Sequence, residues 1–196
     1  MSQSKPEARR RLIAGAAEML SRRGLNATSI RELAKYSKAP LGSTYHYFPG
    51  GKKQVVVEAV RYVGGKVTAV LAESLQAGPL HGLSAFLELW REQVLKSDFK
   101  AGCPILSVAV EEPDSDEGMV ALDAAARVFA TWTDVMSQSL RMEGVEDEQA
   151  KQLATLIVSS VEGTVALCRA QRSIEPLDRV SRQLEWLIET AIQSKT

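Results

Sequence analysis

A chain of 196 residues, 45% of them apolar, is long enough for a substantial core or for a small head on a larger body. The formal charge is zero, yet residues 1–53 carry 11 Lys and Arg against 3 acidic residues and the remainder carries 13 against 21, so only the basic end suits a polyanion. Two cysteines without metal-type spacing, two histidines, and no secretory h-region, long apolar span, HExxH, nucleophile elbow or phosphate-binding Gly-rich loop argue against secreted, membrane, metal, cofactor-dependent and catalytic classes and point to a reducing cytoplasm.

Pro6, after Ser4, suits a first helical turn, and Leu12, Ile13, Ala16, Ala17, Met19 and Leu20 then fall on one face, with Arg9, Arg10, Arg11, Arg22 and Arg23 largely off it. Gly24 stops this helix. Thr28 or Ser29 can cap a second helix bearing Ile30, Leu33 and Ala34, and Lys38-Ala39-Pro40 forces a turn before a third helix opens near Gly42 or Ser43. Three helices in about 45 residues, the last two joined tightly, form a helix-turn-helix arrangement.

Pro49-Gly50-Gly51 ends the third helix, and Lys52 starts a long fourth one that runs to Gly78-Pro79. Gly64-Gly65 inside it marks either a close helix contact or a weak point. A fifth helix spans Leu83 to Lys96, a short one Ile105 to Val110, and the acidic stretch Glu111 to Gly118 reads as a solvated loop before a seventh helix through Trp132 and Leu140. Asp147 can cap an eighth helix, apolar most of the way round, and Pro176 opens a ninth. No strand pattern interrupts this all-α reading of about nine helices.

The second helix, Thr28-Ser29-Ile30-Arg31-Glu32-Leu33-Ala34, and the third, Gly42-Ser43-Thr44-Tyr45-His46-Tyr47-Phe48, resemble those of the TetR/AcrR transcriptional regulators, and the likeness extends over the whole chain. Phe48-Pro49-Gly50-Gly51-Lys52, Gly102-Cys103-Pro104-Ile105 and Val161-Glu162-Gly163 are similar to the LmrA/YxaF-like branch. The resemblance implies a homodimeric, ligand-responsive regulator of transcription, a repressor of drug-efflux or small-molecule response genes. It also implies a helix-turn-helix head, residues 1–51, on a ligand-binding and dimerisation body, residues 52–196. Three positions depart from the family: Lys38 stands where a turn glycine is common, Leu41 where a polar or basic residue is, and Thr44 where Leu or Ile is usual.

Operator contacts are expected from Thr28, Ser29, Leu41, Gly42, Ser43, Tyr45, His46, Tyr47 and Lys52. Ser29 and Lys52 act by resemblance as phosphate clamps, while Phe48 belongs to the head's core. Gly42 and Ser43 are short enough to let the helix start approach a groove, and Tyr45, His46 and Tyr47 are too close in sequence all to face inward. Arg9 to Arg11 either add salt-dependent affinity or form a solvated face. In the body, Phe86, Trp90, Cys103, Phe129, Trp132 and Met136 either line a pliable pocket for a small apolar or aromatic effector or are plain core. Ile157, Val161, Gly163, Val165, Leu184, Leu187 and Ile188 are expected at a two-fold interface, and Trp186 is either an anchor there or a core residue.

Overall fold

The computed structural model describes the backbone of residues 5–113 and 116–194, and the side chains of all of these except 116 and 117. Ser4 and residues 114 and 115 of the acidic stretch lie outside the described residues. Among them the chain forms nine α-helices, α1 (Lys5–Arg23), α2 (Ile30–Tyr36), α3 (Leu41–Tyr47), α4 (Gly51–Ser74), α5 (Pro79–Lys96), α6 (Pro104–Ala109), α7 (Asp116–Met142), α8 (Asp147–Gln171) and α9 (Glu175–Gln193), with a single 3-10 turn, Leu75–Ala77, before α5.

These helices belong to two compact units. The first holds residues up to 65 together with 104–128, and the second holds 66–103 and 129–196. A cut at residue 51 does not follow this grouping, because Val55, Val56, Val57, Ala59 and Val60 at the start of α4 are buried along with the apolar faces of α1 and α2, and α6 packs on α1.

In the first unit, α1 buries Leu12, Ile13, Ala16, Ala17, Met19 and Leu20, the stripe its spacing predicts. Gly24 ends it at φ +79°, a left-handed conformation that favours glycine. The turn that follows is held from outside: the Glu111 carboxylate accepts the backbone N–H of Leu25 at 2.5 Å and of Asn26 at 2.9 Å. Part of the acidic stretch is therefore structural rather than merely solvated. On α4, a Cβ at Gly64 would lie 2.5 Å from Val128 on α7, so Gly64 marks close helix packing, whereas Gly65 faces open space.

In the second unit α8 packs on α9, and α5 packs on both. Arg91 of α5 pairs with Asp178 of α9. The cap of α8 is Glu146, whose carboxylate accepts the Gln149 N–H at 3.0 Å, rather than Asp147. Asp147 is drawn instead to Arg141 and Lys151, at 2.7 and 2.5 Å. By length and composition α8 alone among the described helices is apolar enough to cross a membrane, against the expectation that no such span exists. Half of that stretch is buried inside the protein and its packing against α5 and α9 makes it a core helix.

Candidate nucleic-acid interface

The helix-turn-helix is fixed from its buried side. Ser29 caps α2, its hydroxyl accepting the Glu32 N–H at 3.1 Å, and Ile30, Leu33 and Ala34 face the core. The turn runs through Lys38 at φ 50°, left-handed without glycine, with the Ala39 N–H donating to the Ala34 carbonyl at 2.8 Å. In α3 the inward positions are Thr44 and, just past the helix end, Phe48, both fully buried. Thr44 satisfies its hydroxyl by donating to the Pro40 carbonyl at 3.1 Å, which lets a polar residue occupy this buried place.

With Thr44 and Phe48 inward, the helical period turns Gly42, Ser43, Tyr45 and His46 outward. Tyr45 is 53% exposed and Leu41 40%. Tyr47 is half-buried, its ring edge-on to His46 with centroids 5.9 Å apart. No side chain lies within 4 Å of where a Cβ of Gly42 would be, so the start of α3 is open to approach. Thr28 does not join this face. It is buried, and its hydroxyl donates to the Gly24 carbonyl at 2.9 Å, so its place is in the α1–α2 turn and not against DNA.

A polar brace supports the exit of α3. Arg9 Nη2 lies 2.6 Å from both oxygens of Glu58 on α4, and its guanidinium sits 5.4 Å from the centre of the Phe48 ring. Gln54 joins the same brace, donating to Glu58 at 2.9 Å and accepting the Gly50 N–H at 2.9 Å. Arg9 is thereby structural, whereas Arg10, Arg11, Arg31, Lys35 and Lys38 are exposed. Lys52 and Lys53 lie half-exposed in the first turn of α4. Partial burial, with Glu18 beside it, pushes the Tyr36 phenol at the end of α2 up.

An outward Ser-x-Tyr-His face on a short helix, locked to α2 from behind and flanked by cations, is a surface for phosphates and base edges. Comparison with known proteins agrees. Residues 12–59 match the bacterial regulatory proteins of the tetR family, and residues 79–183 match the C-terminal domain of LmrA/YxaF-like transcriptional regulators. The HTH-type transcriptional regulator Rv0196 of Mycobacterium tuberculosis is 41% identical over 183 residues, covering 92% of this chain and 93% of its own.

The chain belongs to the TetR family of transcriptional regulators, with an LmrA/YxaF-like C-terminal domain.

LmrA of Bacillus subtilis is 27% identical over 177 residues, covering 89% of this chain and 93% of its own. A TetR transcriptional regulator from Legionella pneumophila shares the fold, with a TM-score of 0.82 at 20% identity over 94% of this chain and 97% of that one. The TetR helix-turn-helix binds DNA, and the family is one of regulators, not enzymes. Among the described residues no group of three or more His, Cys, Asp and Glu can hold a metal ion.

The residues predicted to line an effector pocket gather in the second unit, in the TetR body. Phe86 and Trp90 of α5 meet Trp132 of α7 edge to face at 5.6 and 6.3 Å, and Phe129 adds a fourth ring at 5.6 Å from Trp132. Trp90, Trp132, Phe86, Met136 and Cys103 are buried, and Phe129 is half-exposed at the edge.

The predicted dimer residues separate. Ile157, Val161, Val165, Leu184 and Ile188 are buried within the single chain, where they form the α8–α9 core, so they do not face a partner. The helical period identified an apolar stripe but not what covers it. Gly163 is exposed with nothing within 4 Å of a built Cβ, and Leu187 is half-exposed. Beside them stand Leu156, Leu167 and, 57% exposed, Trp186, which is not a core residue.

Proposed function

We propose that this TetR-family protein is a cytoplasmic homodimeric repressor whose two α3 helices enter successive major grooves of a palindromic operator and leave it when a small apolar or aromatic molecule binds the body. The observation that carries the reading is the outward face of Ser43, Tyr45 and His46 on a helix whose Thr44 and Phe48 are buried. Ser43, Tyr45 and His46 read base edges and phosphates. Ser29, whose hydroxyl proton is not used in capping α2, and Lys52 hold the backbone.

Dimerisation is assigned to the outer faces of α8 and α9. On α8, Leu156, Ser159, Gly163 and Ala166 follow the helical period, and on α9 Trp186 supplies an aromatic anchor. A shallow, solvent-open depression of about 430 Å³ lies along the same side of α8, lined by Glu148, Lys151, Gln152, Thr155, Leu156 and Ser159. Gly163 and Leu187 remain in this interface, with Leu156, Leu167 and Trp186 in place of the five buried residues. Two-fold pairing there is what a palindromic operator requires, since half-sites one turn apart are about 34–36 Å from centre to centre.

The response to ligand is a shift between two populated shapes. α4 is one unbroken helix whose first turn holds Lys52 and whose last turns belong to the body, so a ligand that prefers one body shape alters where the heads stand. A coupling of about 1–3 kcal/mol suffices.

The test is to select duplexes from a random library with the purified protein, then footprint the winner and sediment the protein alone. The proposal expects an inverted repeat with half-sites one turn or a multiple apart and a dimer in solution. A single half-site bound by a monomer contradicts it.

A further inference from the structure

The interior of the second unit contains a carboxylate that its fold does not use. Glu162 of α8 is 3% exposed, and no N–H or O–H reaches either of its oxygens. The polar group beside it is the Cys103 thiol, a weak donor, on a segment held to α8 where Gly102 lies against Arg169 and Val165. Two further polar atoms in this unit are buried without a partner, the indole Nε1 of Trp90 on α5 and the hydroxyl of Ser137 on α7. Buried polar groups are nearly always satisfied, and three in one unit, on α5, α7 and α8, leave partners to be supplied by something other than the fold.

The ionic groups of this unit on α5, α8 and α9 named above are engaged elsewhere. Arg91 and Asp178 pair with each other, and Arg169 donates to the Lys100 carbonyl at 3.2 Å. Burial raises the Glu162 carboxyl to about 7, so at slightly alkaline pH it is an uncompensated charge in an apolar interior. The same unit holds the packed rings of Phe86, Trp90, Phe129 and Trp132, aromatic surface that favours apolar bodies and cations alike.

We propose that the body's ligand is a compact, mainly apolar amine, bound as its ammonium ion by the Glu162 carboxylate and enclosed by the aromatic side chains of the same unit. The inference rests on the ligand-responsive reading above and adds the ligand's chemical class. A neutral molecule could at most donate a hydrogen bond and would leave the charge uncompensated, whereas an ammonium group supplies both the charge and the N–H donors. Uncharged binders and bound water are the competing occupants.

Calorimetric titration at pH 8, where Glu162 is ionised and an alkylamine is protonated, decides between them. The probes are 1-adamantylamine and 2-phenylethylamine, each against its alcohol isostere, 1-adamantanol and 2-phenylethanol. At least one amine is expected to bind tenfold or more tighter than its alcohol, and Glu162→Gln to erase the difference. Glu162→Met is expected to bind neither amine while melting at a higher temperature than the wild type, which separates loss of the site from loss of the fold. Equal affinity for amine and alcohol, a preference that survives Glu162→Gln, or no binding of any probe overturns the inference. Adding each probe to the protein–DNA complex separates it from its premise. Amines that bind but leave the complex intact contradict the ligand-responsive reading alone, and alcohols that bind as well as amines and release the DNA contradict the Glu162 assignment alone.

Discussion

The outward face of α3 and the interior around Glu162 place polar side chains in opposite ways. On α3, Ser43, Tyr45 and His46 stand in solvent, and the side chains that orient them, Thr44, Phe48 and the Arg9–Glu58 pair, are each satisfied by a named neighbour. In the second unit the polar atoms are inside, and Glu162, the Trp90 indole N–H and the Ser137 hydroxyl meet no N–H or oxygen partner among the described residues. The first arrangement is finished before its ligand arrives, as suits a surface that must dock in a groove of fixed shape. The second leaves a carboxylate for the proposed ligand to meet, and through it occupancy would bias the state of the body.

Three substitutions probe that contrast. The largest effect is expected for Phe48→Ala, which empties a fully buried aromatic position and removes the ring under Arg9. It should cost about 3–5 kcal/mol in denaturant unfolding of the head and abolish DNA binding with it. A loss under about 1 kcal/mol would mean that α3 is not held from behind.

Next comes the pH dependence of stability. The Glu162 carboxyl lies at about 7 in the folded chain against 4.5 for the unperturbed group. The unfolded chain therefore gives up this proton first, and the contribution of Glu162, full below pH 4.5, is lost as pH rises towards 7 and is then constant. The loss is on the order of 3 kcal/mol, and Glu162→Gln should remove it when unfolding is measured at pH 5 and pH 8. An identical difference between the two pH values in wild type and variant would show that Glu162 is already satisfied inside the protein.

The smallest effect is expected for Glu58→Gln. This pair is partly exposed, so its loss should cost about 1 kcal/mol of stability. Its sharper signature is a weakened operator complex, because Arg9 loses the partner that holds it over Phe48. Unchanged DNA affinity would reduce the brace to a surface ion pair.

The two regions were also unequally legible in the sequence. The helix-turn-helix follows from local signals: a capping Ser29, a break at Lys38-Ala39-Pro40, and three adjacent ring-bearing residues that cannot all be buried. Thr28 misled because a hydroxyl beside a cap suits a phosphate contact equally well, and only the folded turn shows that it donates to the Gly24 carbonyl. In the body the apolar period locates α8 and α9 but does not say which stripe meets the chain's own core: Ile157, Val161, Val165, Leu184 and Ile188 suit an interface by their spacing yet lie inside the chain, while Trp186, which suits either place, lies outside. Glu162 was invisible as a charge of consequence, since one acidic residue among valines reads as a helix position until the packing around it is known. Arg9 was likewise one of three arginines until Glu58, 49 residues away, appeared beside it.

The central claim is that α3 presents a DNA-reading face. Its most direct test is fluorescence anisotropy of a library-selected duplex and of unrelated duplex DNA, titrated with the wild type, Tyr45→Ala, His46→Ala and Lys52→Ala over a range of salt. Tyr45→Ala and His46→Ala should lose about 1–3 kcal/mol of affinity for the selected duplex with little change on unrelated DNA, and Lys52→Ala should weaken both and lower the salt slope by about 1. Unchanged affinity and salt slope in all three variants would contradict the account.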